Sequence, residues 1–172
     1  MSARIAMEPV RKAIRVKAAR ERAFEIFTQW RWWPKEHSLL KSKSPQVSVT
    51  TEPRVGGRWY ERAADGSECD WGRVLVWEPP ARIVMTWQLD GRFEIDPNLH
   101  TEVEVRFVAD GDHTRVELEH RHLERAGETA QMMRDAIDSP GGWGGSRERS
   151  STPVKTPFSS MTGRVLSSCW RA

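Results

Sequence analysis

The stretch TEVEVRFVADGDHTRVELEHRH, residues 101–122, decides the fold class of this chain. In its second half, Thr114–His120, apolar or weakly polar side chains alternate with Arg and Glu, which is the period of a strand with one buried face. Asp110-Gly111-Asp112 separates this run from an earlier one. Such a short separator joins antiparallel neighbours, because a parallel pair needs a long crossover. The stretch therefore predicts a β-hairpin with strands at 101–108 and 113–122.

The same signals continue on the amino-terminal side of the hairpin. Residues 10–17 alternate as a first strand, and Ala18–Phe27 has the spacing of an amphipathic helix. Glu128–Ile137 predicts a modest second helix that Ser139-Pro140 ends. Four more strands, bounded by Gly, Pro and Asp clusters, are predicted at 46–52, 57–63, 69–77 and 82–89. We therefore expect an α+β fold, in which one curved antiparallel sheet of about six to seven strands buries its concave face against helices.

The charge of the chain is unevenly distributed. The 172 residues carry a net charge of +3, which invites a nucleic-acid hypothesis. Residues 146–172, however, hold five basic side chains and one acidic one, so the remainder has a net charge of −1. The body of the protein is therefore not basic, and we expect no nucleic-acid partner. No apolar run is long enough to span a membrane, and two cysteines are too few for a disulfide framework. We expect a cytoplasmic protein without a membrane partner.

Several separated motifs occur in an order and spacing that resemble one protein family. They are AFEIFT (23–28) before WWP (32–34), EPRVGGR (52–58), WGRV (71–74) leading to WEPP (77–80), TEVEV (101–105), TRVELEH (114–120) and GGW (141–143). The chain resembles bacterial proteins similar to the activator of heat-shock-protein-90 ATPase. These proteins form a branch of the START-like, or SRPBCC, helix-grip superfamily. The resemblance covers residues 8–145, which we interpret as one domain.

The resemblance implies an internal apolar cavity that binds a hydrophobic small molecule. It also implies that a long amphipathic helix beginning near Gly142-Trp143 closes the cavity. Here Gly144-Gly145 and a Ser/Thr/Pro-rich basic tail, 146–172, follow instead. We expect the lid helix to be disrupted and the tail to be disordered. Back-translating Ser150–Leu166 with GC-rich codons and reading one nucleotide earlier gives a more helix-like string, which suggests the hypothesis of a frameshift.

Large apolar side chains are predicted on the strand faces that would line the cavity. Met85 and Trp87 share one strand face, and Trp71, Leu75 and Trp77 share another by period 2. Core packing alone would explain the same pattern, because a cavity wall is also core. The candidate wall residues are Trp33, Tyr60, Trp71, Met85, Trp87, Val105, Phe107, Leu118 and His120.

His120 is the candidate for chemistry, because it shares the apolar face of its strand. It could orient a ligand with a hydrogen bond or act as an acid or base, or be a satisfied structural residue. His122 follows at i+2 on the same side if the strand persists, but no third ligand completes a metal site. The pairs Glu102/Glu104 and Glu117/Glu119 are interpreted as solvated strand faces. We expect neither a metal nor a cofactor.

The sequence thus predicts a protein that binds an apolar small molecule of unknown identity, with His120 and Tyr60 supplying polar orientation. A first alternative is a co-chaperone-like module that stimulates a chaperone ATPase through a surface patch. A second alternative is an enzyme that uses His120 as acid or base on an apolar substrate. The sequence does not decide whether any reaction is catalysed. Of the three interpretations, the enzyme is the least favoured.

Overall fold

The computed structural model describes residues 5–31, 38 and 44–138. The strands are β1 (Val10–Val16), β2 (Gln46–Thr51), β3 (Arg58–Ala63), β4 (Glu68–Glu78), β5 (Arg82–Trp87), β6 (Thr101–Asp110) and β7 (His113–Arg121). The helices are α1 (Arg20–Thr28) and α2 (Ala130–Asp138), and the 3₁₀ segment Leu123–Thr129 precedes α2. Each predicted strand is present with its ends within two residues of the prediction.

All seven strands form one antiparallel sheet in the order β1-β7-β6-β5-β4-β3-β2. Consecutive strands from β2 to β7 are neighbours, as the short separators predict, and β1 joins the sheet beside β7. Val10 lies opposite His120 and Val16 lies opposite Thr114 in this closing pair. The sheet curls into a half-barrel that the two helices cover, which is the predicted helix-grip arrangement. We call the covered, concave side of the sheet the inner face and the opposite side the outer face.

The β6–β7 hairpin shows how the two faces arise. Val103 lies opposite His120, and Phe107 lies opposite Val116. All four side chains are at most 1% exposed, whereas the alternate Arg115 is exposed. The period-2 pattern of the sequence therefore separates an apolar inner face from a charged outer face in this hairpin.

Two bulges in β4 change which of its side chains point inward. Trp71 is the extra residue of a bulge opposite β3, and Leu75 is the extra residue of a second bulge opposite β5. Each extra residue reverses the alternation of faces and increases the local bend. Val74 is consequently buried, while Leu75 is 38% exposed. The prediction that Leu75 shares a face with Trp71 and Trp77 is wrong, because a simple period assumes an unbroken strand.

Helix α1 lies against the inner face. Its apolar positions Ala23, Phe24 and Phe27 are buried at helical spacing. The ring of Phe24 contacts both Trp77 and Phe107 at centroid distances of 5.2 Å. Aromatic contacts therefore join α1 to strands on both sides of β5.

Helix α2 begins two residues later than predicted, because the 3₁₀ segment, in which Gly127 has a positive φ of 61°, extends to Thr129. Its buried side chains are Ala130, Met133 and Ile137. An ion pair of 2.9 Å between Lys12 Nζ and the carboxylate of Asp138 joins the end of α2 to β1.

In the described part of the chain, no helix has the length and apolar character needed to cross a bilayer. The predicted helix stop at Ser139-Pro140, the disrupted lid helix and the tail lie outside the described residues.

Candidate functional site

The inner face carries a continuous cluster of aromatic rings. Trp59, at its centre, stacks on Trp30 with ring centroids 5.0 Å apart and contacts Trp71 and Trp87 at 5.5 Å and 5.4 Å. Among the described residues, the rings that contact another ring of the cluster at 5.0–5.9 Å are Phe24, Phe27, Trp30, Trp59, Trp71, Trp77, Trp87 and Phe107. These rings form part of the hydrophobic core, and the predicted cavity among them stays a prediction.

His120 lies on this face, as predicted, and is fully buried. Its Nε2 is 2.8 Å from the hydroxyl of Thr101, and that hydroxyl donates to the backbone carbonyl of Trp87 at 2.9 Å. A threonine hydroxyl has one proton, so it must accept from His120. The imidazole therefore carries its proton on Nε2, which leaves the lone pair on Nδ1. The arrangement fixes the ring orientation through the backbone of the strand that bears Trp87.

Burial lowers the pKa of His120 to about 3. The cause is desolvation, which disfavours the charged imidazolium. The ring is therefore neutral at physiological pH, and its Nδ1 is a hydrogen-bond acceptor. A neutral imidazole of such low basicity orients a hydroxyl group better than it removes a proton from one.

A second buried ionisable side chain on the inner face, Glu61, was missed by the sequence analysis. Glu61 lies in β3 and is fully buried. The side-chain amide of Gln46 donates to one carboxylate oxygen, and the indole of Trp71 donates to the other at 3.3 Å. The available signal was the alternation of Trp59, Glu61 and Ala63, all of which are at most 1% exposed. Choosing Tyr60 as the inward residue selected the opposite set of β3 positions.

The structure places Tyr60 on the outer face, with the guanidinium of Arg58 stacked 4.0 Å from the centre of its ring. Tyr60 consequently does not orient a ligand on the inner face. Trp33 lies outside the described residues. The other predicted wall residues are at most 3% exposed and form part of the core, namely Trp71, Met85, Trp87, Val105, Phe107, Leu118 and His120.

His122 does not join His120, because β7 ends at Arg121 and His122 takes a positive φ of 62°. Its Nε2 instead lies 3.1 Å from the carboxylate of Glu102. Among the described residues, no group of three or more His, Cys, Asp or Glu side chains could hold a metal ion.

The outer face holds a network of ion pairs rather than freely solvated carboxylates. Glu104 is only 4% exposed and pairs with Arg82, Arg106 and Arg121. The interpretation of Glu104 as a solvated residue is therefore wrong, because arginine side chains from three strands cover it. Burial alone would raise the pKa of Glu104, but hydrogen bonds from Arg121 and Arg106 outweigh it and lower that pKa.

A groove of about 450 Å³ lies beside this network. Its charged lining residues are Arg11, Lys12, Glu104, Arg106, Arg115, Glu117 and Glu119. Closely spaced charges of both signs satisfy each other and stay hydrated, so this groove suits an apolar ligand poorly.

Comparison with known proteins is in keeping with this fold and identifies its family. A model of the family "Activator of Hsp90 ATPase homolog 1-like protein" matches residues 17–146. The chain belongs to this family, and its structural neighbours are SRPBCC-type proteins. A search of curated proteins found no match to this chain.

Two solved structures are similar in both sequence and fold. The anthrahydroquino-γ-pyrone synthase Txn09, solved as a complex, is 43% identical, and the match covers 78% of this chain and 91% of that protein with a TM-score of 0.54. The self-sacrificing resistance protein CalC from Micromonospora echinospora is 34% identical, and the match covers 76% of this chain and 84% of CalC with a TM-score of 0.51.

Proposed function

We propose that the protein binds a polycyclic aromatic small molecule on the inner face of its sheet. The observation that carries this proposal is the ring cluster around Trp59. Flat aromatic ligands gain offset-stacked and edge-to-face contacts with such rings, in addition to about 25 cal/mol for each Å² of apolar surface removed from water. The charged outer face offers no comparable surface among the described residues.

Polar groups on the inner face support the same proposal. A ligand site needs a few fixed polar atoms that orient an otherwise apolar molecule. His120 is held by Thr101, and Glu61 is held by Gln46 and Trp71. Both ionisable groups thus have fixed positions within an aromatic wall.

The similarity to Txn09 supports the choice of ligand class. That protein is named for a product built on a fused, oxygenated ring system, and it is 43% identical over most of its length. We infer that this chain accepts a ligand of the same chemical class, an oxygenated polycyclic aromatic compound.

A fluorescence titration with 9,10-anthraquinone tests the proposal. The compound is a flat, oxygenated tricycle, and binding beside buried tryptophans should quench their emission saturably with a Kd in the micromolar range. A linear decrease without saturation up to about 100 μM would contradict the proposal, because it would indicate collisional quenching only.

Two substitutions on β6 provide a matched comparison of the faces. Val105 is fully buried on the inner face, whereas Val108 is 44% exposed on the outer face. Val105→Phe enlarges a side chain on the inner face and should weaken anthraquinone binding at least tenfold, while Val108→Phe should leave it unchanged. Equal effects of the two variants would show that the ligand does not use the inner face.

The 43% sequence identity to the synthase Txn09 favours a second candidate function. In this function the protein acts as an acid/base catalyst on the bound ring system. Anthrone is a suitable probe, because its C10 proton exchanges through the enol tautomer. Deuterium exchange at C10 in D₂O should be faster with the protein, and His120→Ala should abolish the acceleration while sparing binding. Equal loss of exchange and binding, or loss of neither, would reject His120 as the catalyst.

The co-chaperone alternative stays a prediction, as does the cytoplasmic location. Adding the purified protein to the chaperone and measuring ATP turnover would decide the first of these. An unchanged turnover at saturating protein would eliminate it.

A further inference from the structure

Trp59 differs from its neighbours in what its indole N–H contacts. Its Nε1 is buried and has no hydrogen-bond partner among the described residues. Trp30 Nε1, by contrast, donates to the hydroxyl of Thr51 at 2.7 Å, and Trp71 Nε1 donates to Glu61 at 3.3 Å. The indole N–H groups of Trp30 and Trp71 are therefore hydrogen-bonded. The N–H of Trp59 is buried and has no acceptor among the described residues.

A buried donor without an acceptor is unfavourable, because it loses its hydrogen bonds to water and gains none in return. Buried tryptophans usually place their N–H against a partner, and exceptions require an explanation. The position of this exception is informative, since the ring of Trp59 contacts Trp30, Trp71 and Trp87 at the centre of the cluster. An acceptor brought by a ligand on these rings would satisfy the donor.

The surroundings of Trp59 indicate the kind of acceptor. Its ring lies against Trp30, Trp71 and Trp87, and none of these side chains carries a charge. Burying an anionic oxygen among neutral aromatic rings costs far more free energy than burying a neutral one. A neutral carbonyl oxygen therefore suits the indole N–H of Trp59 better than an anionic oxygen does.

We propose that Trp59 Nε1 donates a hydrogen bond to a ketone or quinone carbonyl of the bound aromatic ligand and thereby selects oxygenated rings over plain hydrocarbons. This inference rests on the proposed function, since it assigns one polar contact within the same site. It identifies Trp59 as a specificity-determining residue.

The test compares 9,10-anthraquinone with anthracene, which share one tricyclic carbon frame and differ in the two carbonyl oxygens. Wild-type protein should bind the quinone more tightly. Trp59→Phe keeps an aromatic ring but removes the donor, so the quinone affinity should fall about tenfold relative to that for anthracene. Trp71→Phe is the matched control, because it removes an indole N–H that has an internal acceptor. It should change the two affinities by the same factor.

The outcomes separate this inference from the proposed function. If neither compound binds wild-type protein, the proposed function fails and this inference fails with it. If both bind and Trp59→Phe changes both affinities by the same factor, Trp59 is only a packing residue and the proposed function stands. The indole N–H resonance of Trp59 in wild-type protein gives a second reading that does not depend on a folded variant. It should shift downfield with anthraquinone and not with anthracene, and equal shifts would overturn the inference.

Discussion

The two faces of the sheet each bury one glutamate, and they do so in different ways. Glu104 on the outer face is paired with arginines from three strands, including Arg121 at 2.9 Å. Glu61 on the inner face accepts hydrogen bonds from the neutral groups of Gln46 and Trp71. A carboxylate that is paired with arginines from three strands links those strands to one another. A carboxyl group that accepts hydrogen bonds from neutral donors is instead held in a fixed position among aromatic rings.

The difference assigns separate roles to the two faces. The outer face stabilises the sheet through charges that partly retain water, and the inner face combines apolar packing with fixed polar groups. Substitutions that act on one face and not on the other can therefore test this assignment.

The largest effect is expected from core truncation. Phe107 is 1% exposed on the inner face, and its neighbour Val108 is 44% exposed on the outer face. Phe107→Ala should lower the free energy of unfolding by about 3–5 kcal/mol, because it leaves a cavity against α1. Val108→Ala should change it by less than about 0.5 kcal/mol. Urea unfolding measures both values, and similar losses would contradict the assignment of faces.

A smaller effect is expected from the two glutamates. Glu104→Gln should lower the free energy of unfolding by about 2 kcal/mol. The three arginines lose the negative charge that they share, and their positive charges then repel one another. The loss should shrink in 1 M salt, which screens the remaining repulsion. Glu61→Gln should cost less than about 1 kcal/mol, because the new amide oxygen still accepts from Trp71 and the side-chain amide of Gln46 can turn to accept from the new amide nitrogen. The reverse order of the two effects would invalidate the comparison.

The pH dependence of stability tests the buried state of His120. Its pKa is about 3 in the folded protein, against about 6.5 when unfolded. The unfolded chain therefore binds the proton first as pH falls, and stability is lost below about pH 6.5. The His120 contribution to this loss should be about 2 kcal/mol between pH 7 and pH 5.

The variant for this prediction is His120→Gln, which removes the buried imidazole. Thermal unfolding at each pH should show a shallower pH dependence for His120→Gln than for wild-type protein. A His120→Gln curve parallel to that of wild-type protein would show that the ring titrates normally in the folded state.

The sequence predicted the order and ends of the strands well, because turn residues and period-2 alternation act locally. It placed His120 on the inner face for the same reason. The bulges at Trp71 and Leu75 could not be predicted, since each depends on the register of two neighbouring strands. Leu75 was therefore assigned to the wrong face.

The candidate site was only partly predictable for a related reason. The sequence pointed to Tyr60 and not to Glu61, because glutamate is almost never fully buried unless it is paired. The burial of Glu61 depends on the donors Gln46 and Trp71, which come from other strands. Likewise, Glu104 is covered by arginines that only the assembled sheet brings together.

The most direct test of inner-face binding is a crystal structure of the protein with 9,10-anthraquinone. We expect electron density for the tricycle among the inner-face rings, with one carbonyl oxygen within hydrogen-bond distance of Trp59 Nε1. Density in the outer-face groove beside Glu104, with none on the inner face, would contradict it.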